Sequence, residues 1–183
     1  MKLHIFGASG SGVTTLGKHL SLNLNIPYFD SDGYFWEKSN PPFTIRRNPS
    51  DRNNLIKAKL NQNEDWIIGG SIINWGENVF PAFDLIVFLW IPAEIRIARL
   101  KKRELERYGN IINTDADRSK LYEEFIAWAE DYDNDRGIAN RTLKAHEQWL
   151  SKRTCPVLEM RGDLTTDERA KLIIDKLKLL YLS

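Results

Sequence analysis

A glycine-rich stretch near the start of the chain, residues 7–15, has the residue types and spacing that can bind a polyphosphate. In such a turn, successive backbone N–H groups can converge on the anion, and the positive end of a following helix dipole favours the same anion. The phosphate-loop pattern requires Gly, four residues, Gly, Lys and then Ser or Thr; Gly7, Gly12 and Thr14 satisfy it, but Val13 replaces the lysine. The alternative is a glycine turn that only packs a strand against a helix. The predicted phosphate-binding residues are Gly7, Ser9, Gly10, Ser11, Gly12, Val13, Thr14 and Thr15.

Two carboxylates, Asp30 and Asp32, follow a short apolar run over residues 26–29. We interpret this run as a strand, and the ligand crevice of an open α/β sheet lies outside the carboxyl ends of its strands. Both acids are therefore candidates for work on the phosphate or on a phosphoryl acceptor. The alternative is turn chemistry, because an Asp that precedes Ser and Gly commonly starts a turn through its own backbone bonds.

A second candidate for contact with the acceptor is the sequence Gly69-Gly70-Ser71, which follows an apolar run over residues 66–68. Glycine at the end of a strand indicates that a backbone or a ligand approaches closely. Residues 33–49, which precede this run, are rich in aromatic, proline and basic residues and have no regular period, so we predict a loop that covers the substrate. Arg46 in this loop is a candidate for substrate binding, although a solvated surface explains Arg46, Arg47 and Arg52 at least as well. Ser50 is predicted to cap the helix that follows.

A stripe of basic residues lies in a predicted helix that starts at Pro92 and ends at Gly109. The basic residues are spaced 3, 4 and 4 apart, which places them on one side, opposite a core face of Ile95, Ala98 and Leu105. The stripe is either a cationic lid that binds phosphates or a solvated helix face. Its members are Arg96, Arg99, Arg103 and Arg107.

A second arginine-bearing segment contains Arg136 and Arg141, which we expect to begin a helix directly after an acidic helix over residues 115–135. Two such segments could clamp a triphosphate.

The elements that must position these residues alternate between apolar runs and helical patterns. The run over residues 84–91 is apolar without alternation, which suits a strand that is covered on both faces. A last strand is predicted over residues 155–160. Thr165 and Glu168 match a capping box, which predicts the start of the final helix. These elements predict an α/β fold with a parallel sheet and helices on either side.

The composition suits a single globular domain over residues 1–183, with 42% hydrophobic residues. A net charge of +1 provides no broad basic field, so we expect a small-molecule partner and no nucleic acid. Cys155 is the only cysteine, which excludes an intrachain disulfide, and the histidines are too scattered for a zinc site. The sequence has no apolar signal region and no membrane-spanning segment, so we expect a cytoplasmic protein, and a monomer.

These motifs, in this order, resemble those of the small P-loop kinases of the adenylate kinase and shikimate kinase group over nearly the whole chain. The resemblance implies a three-layer αβα fold with a five-stranded parallel sheet in the order 2-3-1-4-5 and a helical lid over about residues 96–141. It also implies ATP on the phosphate loop, Mg²⁺ as a cofactor and an acceptor site over the second and third strands.

The same resemblance implies roles for single residues. Thr14 would ligand magnesium, Asp30 would hold it through water, and Asp32 would orient or deprotonate the acceptor hydroxyl. The lid arginines would bridge the transferring phosphoryl group, and the segment from Gly162 to Thr165 would lie against the adenine. The lid residues concerned are Arg96, Arg99, Arg103 and Arg136; Gly162 and Asp163 complete the nucleotide site, and the acceptor site contains Asp30, Asp32, Arg46, Gly69, Gly70 and Ser71.

The chain departs from the family at two places. Val13 removes the lysine that normally reaches the β- and γ-phosphates, and residues 71–75 lack the arginine that adenylate kinases place after the third strand. Paired aspartates and Gly-Gly-Ser look more like the arrangement of shikimate and gluconate kinases, whose acceptors are hydroxylated small molecules. Two hypotheses follow: a phosphotransferase that uses ATP and a small hydroxylated or nucleotide acceptor, and a nucleotide-binding module that signals through conformational change without transfer. Asp32 favours the first and Val13 the second.

Overall fold

A computed structural model describes residues 1–182 of the chain; Ser183, at the end of the domain predicted for residues 1–183, lies outside them. Five parallel strands form one sheet in the order β2-β3-β1-β4-β5. This order confirms the predicted fold class and topology. The strands are β1 (Lys2–Gly7), β2 (Tyr28–Asp30), β3 (Trp66–Gly69), β4 (Leu85–Trp90) and β5 (Val157–Arg161).

Helices cover both faces of the sheet, as a parallel sheet requires. Within the described residues they are α1 (Val13–Leu24), α2 (Ser31–Phe35), α3 (Pro49–Leu60), α4 (Ala93–Tyr108), α5 (Ile111–Thr114), α6 (Ala116–Asn134), α7 (Leu143–Leu150) and α8 (Thr166–Leu182). None of the helices within residues 1–182 is long and apolar enough to cross a membrane.

The core has two parts, one on each face of the sheet. Alternate residues of β1 supply both: Leu3 and Ile5 pack with α1 and α8, and Phe6 packs with α3, α7 and the aromatic residues between β3 and β4. Side chains of a strand alternate between its faces, so one strand contributes to both parts. The α1–α8 part lies behind the phosphate loop and fixes the position at which α1 begins.

Two of the predicted helix starts have different outcomes. The capping box before α8 is confirmed, because the Thr165 N–H donates to the Glu168 carboxylate at 2.8 Å and the Glu168 N–H donates back to the Thr165 hydroxyl at 3.3 Å. The predicted cap of α3 is wrong: Asn48 is the N-cap and accepts a hydrogen bond from the N–H of Ser50 at 2.8 Å. Pro49 then occupies the first turn of α3, where its missing N–H does no harm.

Helices α4 and α6 pack against each other through a small apolar cluster of their own, which contains Ile97, Leu100, Ile126 and Ala129. The core face predicted for α4 is wrong, because Leu105 is exposed and Arg96 and Glu104 are buried. The cause is that α4 packs on α6 and on the phosphate loop, rather than on the sheet alone. Arg136 and Arg141 were expected to begin a helix, but they lie in the segment between α6 and α7, which has Thr142 as the N-cap of α7.

Candidate active site

The phosphate loop joins β1 to α1 and is shaped by left-handed glycines. Gly12 caps α1 with φ 90° and ψ 17°, a conformation that side chains of L-residues disfavour. No side chain within residues 1–182 caps the start of α1. The first N–H groups of a helix have no intrahelical partner, so those of α1 can donate hydrogen bonds to an anion.

The acid pair lies directly beside this loop. The Thr14 hydroxyl donates a hydrogen bond to Asp30 Oδ2 at 3.1 Å, and Asp30 Oδ1 accepts the N–H of Asp32 at 3.1 Å. Asp30 therefore caps the short helix α2, as the turn interpretation expects, and it also contacts Thr14 of the phosphate loop. A hydroxyl and a carboxylate at this separation provide the hard oxygen ligands that Mg²⁺ prefers, and their chemistry fits the predicted magnesium site.

Asp32 differs from Asp30 in its electrostatic surroundings. Burial and the neighbouring Asp30 carboxylate raise the pKa of Asp32, while Arg141 and Arg103 lower it to a smaller extent. The residue itself remains open to solvent on one side. A carboxylate that is partly desolvated, accessible and close to cations has the properties of a general base.

Several guanidinium groups surround the aromatic ring of Phe35, the last residue of α2. Arg141 lies 4.8 Å, Arg46 5.9 Å and Arg52 6.0 Å from the ring centroid. Arg52 also lies 4.1 Å from the centroid of the Trp75 ring. Burial lowers the pKa of Arg52, and the charge of Arg141 lowers it further. From the sequence, Arg46 is a candidate for substrate binding, Arg52 is weighed against a solvated surface, and Arg141 belongs to a segment that could clamp a triphosphate. The cluster forms a positive, aromatic-walled region that suits an anionic group.

The glycine–serine end of β3 packs against Ser31 and His146. At Gly70, with φ 98°, an added Cβ would lie 2.0 Å from the Ser31 hydroxyl, so a larger residue does not fit. The Ser71 hydroxyl lies 3.1 Å from Nε2 of His146, whose Nδ1 lies 2.9 Å from the hydroxyl of Tyr132. Ser71 is thus part of a buried hydrogen-bond chain that reaches α6. Its partner His146 has no sequence signal beyond an isolated histidine.

Arg96 does not lie on an exposed stripe, which corrects the prediction for this residue. Its side chain is 0% exposed, and Nε donates to the carbonyl of Ile91 at 3.2 Å while Nη1 donates to the carbonyl of Ser9 at 3.3 Å. Nη2 forms an ion pair with Asp133 of α6. Arg96 is therefore an internal tie between α4, α6 and the phosphate loop.

The remaining predicted lid arginines are more accessible. Arg99 Nη2 donates to Asp163 Oδ1 at 2.6 Å, which links α4 to the segment after β5. Arg103 is half-exposed and forms an ion pair with Glu104 at 3.5 Å. Its charge lowers the pKa of Asp32. Arg136 is exposed, and its backbone N–H donates to Asp131 at 2.7 Å. The structure thus places Arg99 beside the segment after β5 and Arg103 near Asp32, and it leaves Arg136 at the turn after α6.

Known proteins resemble this chain in sequence or in fold. No family model matches the chain. The uncharacterized protein YqaC of Bacillus subtilis (strain 168) is 40% identical over 175 residues, which cover 96% of this chain and 96% of YqaC. The structure of deoxyadenosine kinase from M. mycoides with bound dATP is 17% identical, with a TM-score of 0.54 over 97% of this chain and 100% of that chain. Shikimate kinase from Acinetobacter baumannii in complex with shikimate is 16% identical, with a TM-score of 0.53 over 100% of this chain and 95% of that chain. At these identities, the likeness to the solved structures concerns the fold.

Proposed function

We infer that this chain, which belongs to the same family as YqaC of Bacillus subtilis and has the fold of small P-loop kinases, is an ATP-dependent phosphotransferase. The proposed reaction transfers the γ-phosphoryl group of ATP to a small hydroxylated or nucleotide acceptor. Catalysis in such transfers consists mostly of positioning and charge stabilisation. The proposal therefore depends on which residues hold the phosphates and which hold the acceptor.

Nucleotide binding is assigned to the phosphate loop and to the segment after β5. The N–H groups from Gly7 to Thr15 hold the phosphates, while Gly162 and Asp163 lie against the base. Thr14 and Asp30 hold magnesium, and when bound this ion neutralises charge on the phosphate oxygens. The uncapped start of α1 and the Thr14–Asp30 hydrogen bond at 3.1 Å support this assignment.

The proposal of transfer chemistry rests on one observation, the surroundings of the Asp32 carboxylate. Asp32 lies next to Asp30, whose carboxylate accepts a hydrogen bond from Thr14 of the phosphate loop. The pKa of Asp32 is raised mainly by burial, and the charges of two arginines act on it. A general base needs a raised pKa and access to the proton that it accepts. A module without transfer chemistry has no use for such a group at this place. In the proposed reaction Asp32 accepts the proton of the attacking hydroxyl.

The acceptor is proposed to carry an anionic group as well as its hydroxyl. Arg46, Arg52 and Arg141 surround the ring of Phe35, and planar guanidinium groups bind carboxylates and phosphates through paired hydrogen bonds. Arg141 also acts on the pKa of Asp32, so the anion-binding region and the proposed base are neighbours. This proximity supports an acceptor of small size.

The proposed lid uses Arg99 and Arg103, with Arg136 further along the chain. Arg103 faces Asp32, so it is well placed to approach the phosphoryl group as it moves to the acceptor. Charge stabilisation at the transferring group is the main contribution that a cation makes in this chemistry.

The second candidate is a nucleotide-binding module without transfer activity, and Val13 favours it. A lysine at this position contributes a point charge at the phosphates, which valine cannot do. In this alternative the closing of the lid over ATP signals to a partner.

The test is ADP release from Mg-ATP in the presence of panels of nucleosides, nucleotides and hydroxy acids, with ATP binding measured separately by calorimetry. The phosphotransferase proposal expects ADP release that depends on one class of acceptor. ATP binding without release in any panel would support the module, and no ATP binding at all would refute both candidates.

A further inference from the structure

Arg169, in the first turns of α8, reaches the phosphate loop from behind. The side chain is buried, with 4% exposed, and Nη1 donates a hydrogen bond to the carbonyl of Ser11 at 2.9 Å. Nη2 lies 3.4 Å from the carbonyl of Gly162. One guanidinium group thus joins the phosphate loop to the segment after β5.

This guanidinium is not fully paired. Its Nε has no hydrogen-bond partner in the part of the chain that the structure describes. Asp163 is 3.8 Å from Nη2, but it is closer to Arg99, at 2.6 Å, so two cations share one carboxylate. Glu168 is exposed and accepts the hydroxyl of Thr165 at 2.7 Å, where solvent screens its charge. Burial and the charge of Arg99 lower the pKa of Arg169, and the opposing effects of Asp163 and Glu168 are smaller.

The geometry also connects Arg169 to the phosphate side of the loop. An added Cβ on Gly12 would lie 3.2 Å from Nη1. The C=O and N–H of a planar trans peptide point in opposite directions. With the Ser11 carbonyl directed at Arg169, the N–H of Gly12 is directed away from Arg169.

Three other cations near the loop have different surroundings. Arg96 is paired with Asp133, and Arg99 with Asp163. Lys18 is exposed on the surface of α1. Of these three cations, Arg96 contacts the phosphate loop, through the carbonyl of Ser9. Arg169 contacts the loop at a different place, the carbonyl of Ser11.

We propose that Arg169 provides, from behind the loop, the positive charge that Val13 fails to provide, and that it orients the Gly12 N–H toward the phosphates. The inference rests on the proposed nucleotide site. Arg169 acts through the Ser11–Gly12 peptide and is a positioning residue, and its charge favours the triphosphate over the uncharged nucleoside.

The first test compares ATP and adenosine binding by calorimetry in Arg169→Met, Arg169→Lys and the parent chain. Arg169→Met should weaken ATP about tenfold or more, with little change for adenosine, since bonds to charged groups are worth more than neutral ones. Arg169→Lys should recover a large part of the ATP affinity because it keeps the charge. Arg153→Met is the matched control: Arg153 Nε also donates to a backbone carbonyl, that of Trp149 at 3.2 Å, but outside this site. Equal weakening of ATP and adenosine in a folded Arg169→Met protein would overturn the proposal.

The second test is a double-mutant cycle with Val13→Lys. If Arg169 replaces the lysine, Val13→Lys should strengthen ATP binding much more in the Arg169→Met background than in the parent. The same strengthening in both backgrounds would refute the substitution of one charge for the other. Failure of the parent chain to bind ATP would refute the proposed function, whereas parent binding with no effect of Arg169→Met would refute only this inference.

Discussion

Lowering the pH from about 7.5 to about 5 should reduce the free energy of unfolding by about 4 kcal/mol through His4 and His146. Burial lowers the pKa of His4 to about 4 and that of His146 to about 3, from a normal value of 6.5. In this pH range the unfolded chain takes up a proton at each histidine, but the folded chain does not. The stabilisation from the neutral histidines is therefore fully present above the pKa of the unfolded chain. It is lost as the pH falls below that pKa, by about 1.4 kcal/mol per pH unit for each histidine. Over the range each histidine contributes about 2 kcal/mol.

The structural causes are aromatic packing and nearby cations. His4 stacks on Phe6 and Phe83, and its Nε2 donates to the carbonyl of Gly70 at 2.9 Å, which raises the pKa only in part. Arg153 lowers the pKa of His4 further, and Arg141 and His4 do so for His146.

The assay is urea unfolding, followed by tryptophan fluorescence, at several pH values between these limits. His4→Phe keeps the stacking and removes one titrating group, so its stability should fall with pH at about half the slope of the parent. His19→Gln serves as a comparison variant at the surface of α1, where His19 keeps 34% of its side chain exposed and lies 3.4 Å from Asp167. A parent protein whose unfolding free energy changes by less than about 1 kcal/mol over the range would refute the assignment of both histidines as buried and neutral. An unchanged slope in His4→Phe would refute it for His4.

The remaining predictions concern the candidate site. Asp32→Asn should lower phosphoryl transfer about 100-fold or more, with ATP affinity nearly unchanged in calorimetry, and equal losses of both would instead assign Asp32 to magnesium or to structure. Because the pKa of Asp32 is raised, this variant should melt at a higher temperature than the parent at neutral pH, and the difference should vanish once the pH is low enough to protonate the carboxylate in the unfolded chain. Gly12→Val should abolish ATP binding, since valine disfavours φ 90°; a folded variant with the ATP affinity of the parent would mean that the loop is only structural. Arg99→Ala and Arg103→Ala should weaken ATP more than adenosine and change the unfolding free energy by less than about 1 kcal/mol. Arg96→Ala should instead destabilise the protein by about 3 to 5 kcal/mol in urea unfolding, and a small loss would contradict its role as an internal tie.

The strands of the sheet could be predicted because each is marked by a local sequence pattern. The topology could be predicted because the motifs occur in the same order as in the small P-loop kinases. The apolar run of β4 and the capping box before α8 each lie within a few residues of sequence. The motif order then placed the strands, and the structure confirms the order 2-3-1-4-5.

The position of Arg96 could not be predicted, because an arginine stripe in a sequence does not reveal which members find internal partners. Its partners are the carbonyl of Ser9 and the carboxylate of Asp133, both far away in sequence. A buried arginine is acceptable only with such partners, and they exist only after the chain has folded.

The proposed anion-binding region and the proposed role of Arg169 could be predicted only in part. The sequence raised Arg52 and Arg141 as candidates for anion binding, but it did not show that both lie at the ring of Phe35. Arg169 is an ordinary arginine in its own sequence context, and its contact with the Ser11 carbonyl joins residues 158 positions apart. Such contacts exist only after the chain has folded.

The internal tie at Arg96 determines which part of the α4–α6 pair can swing. Its bonds to Ile91, Ser9 and Asp133 anchor the base of α4 and the end of α6 to the phosphate loop. We therefore expect a pivot at this point, with a moving tip that is shorter than the lid predicted over residues 96–141 and centred on α5. Displacement of a rigid arm grows with distance from its pivot, so Arg107 travels further than Arg99 during closure. A spectroscopic label near α5 would report the movement, whereas a label beside Arg96 would remain still.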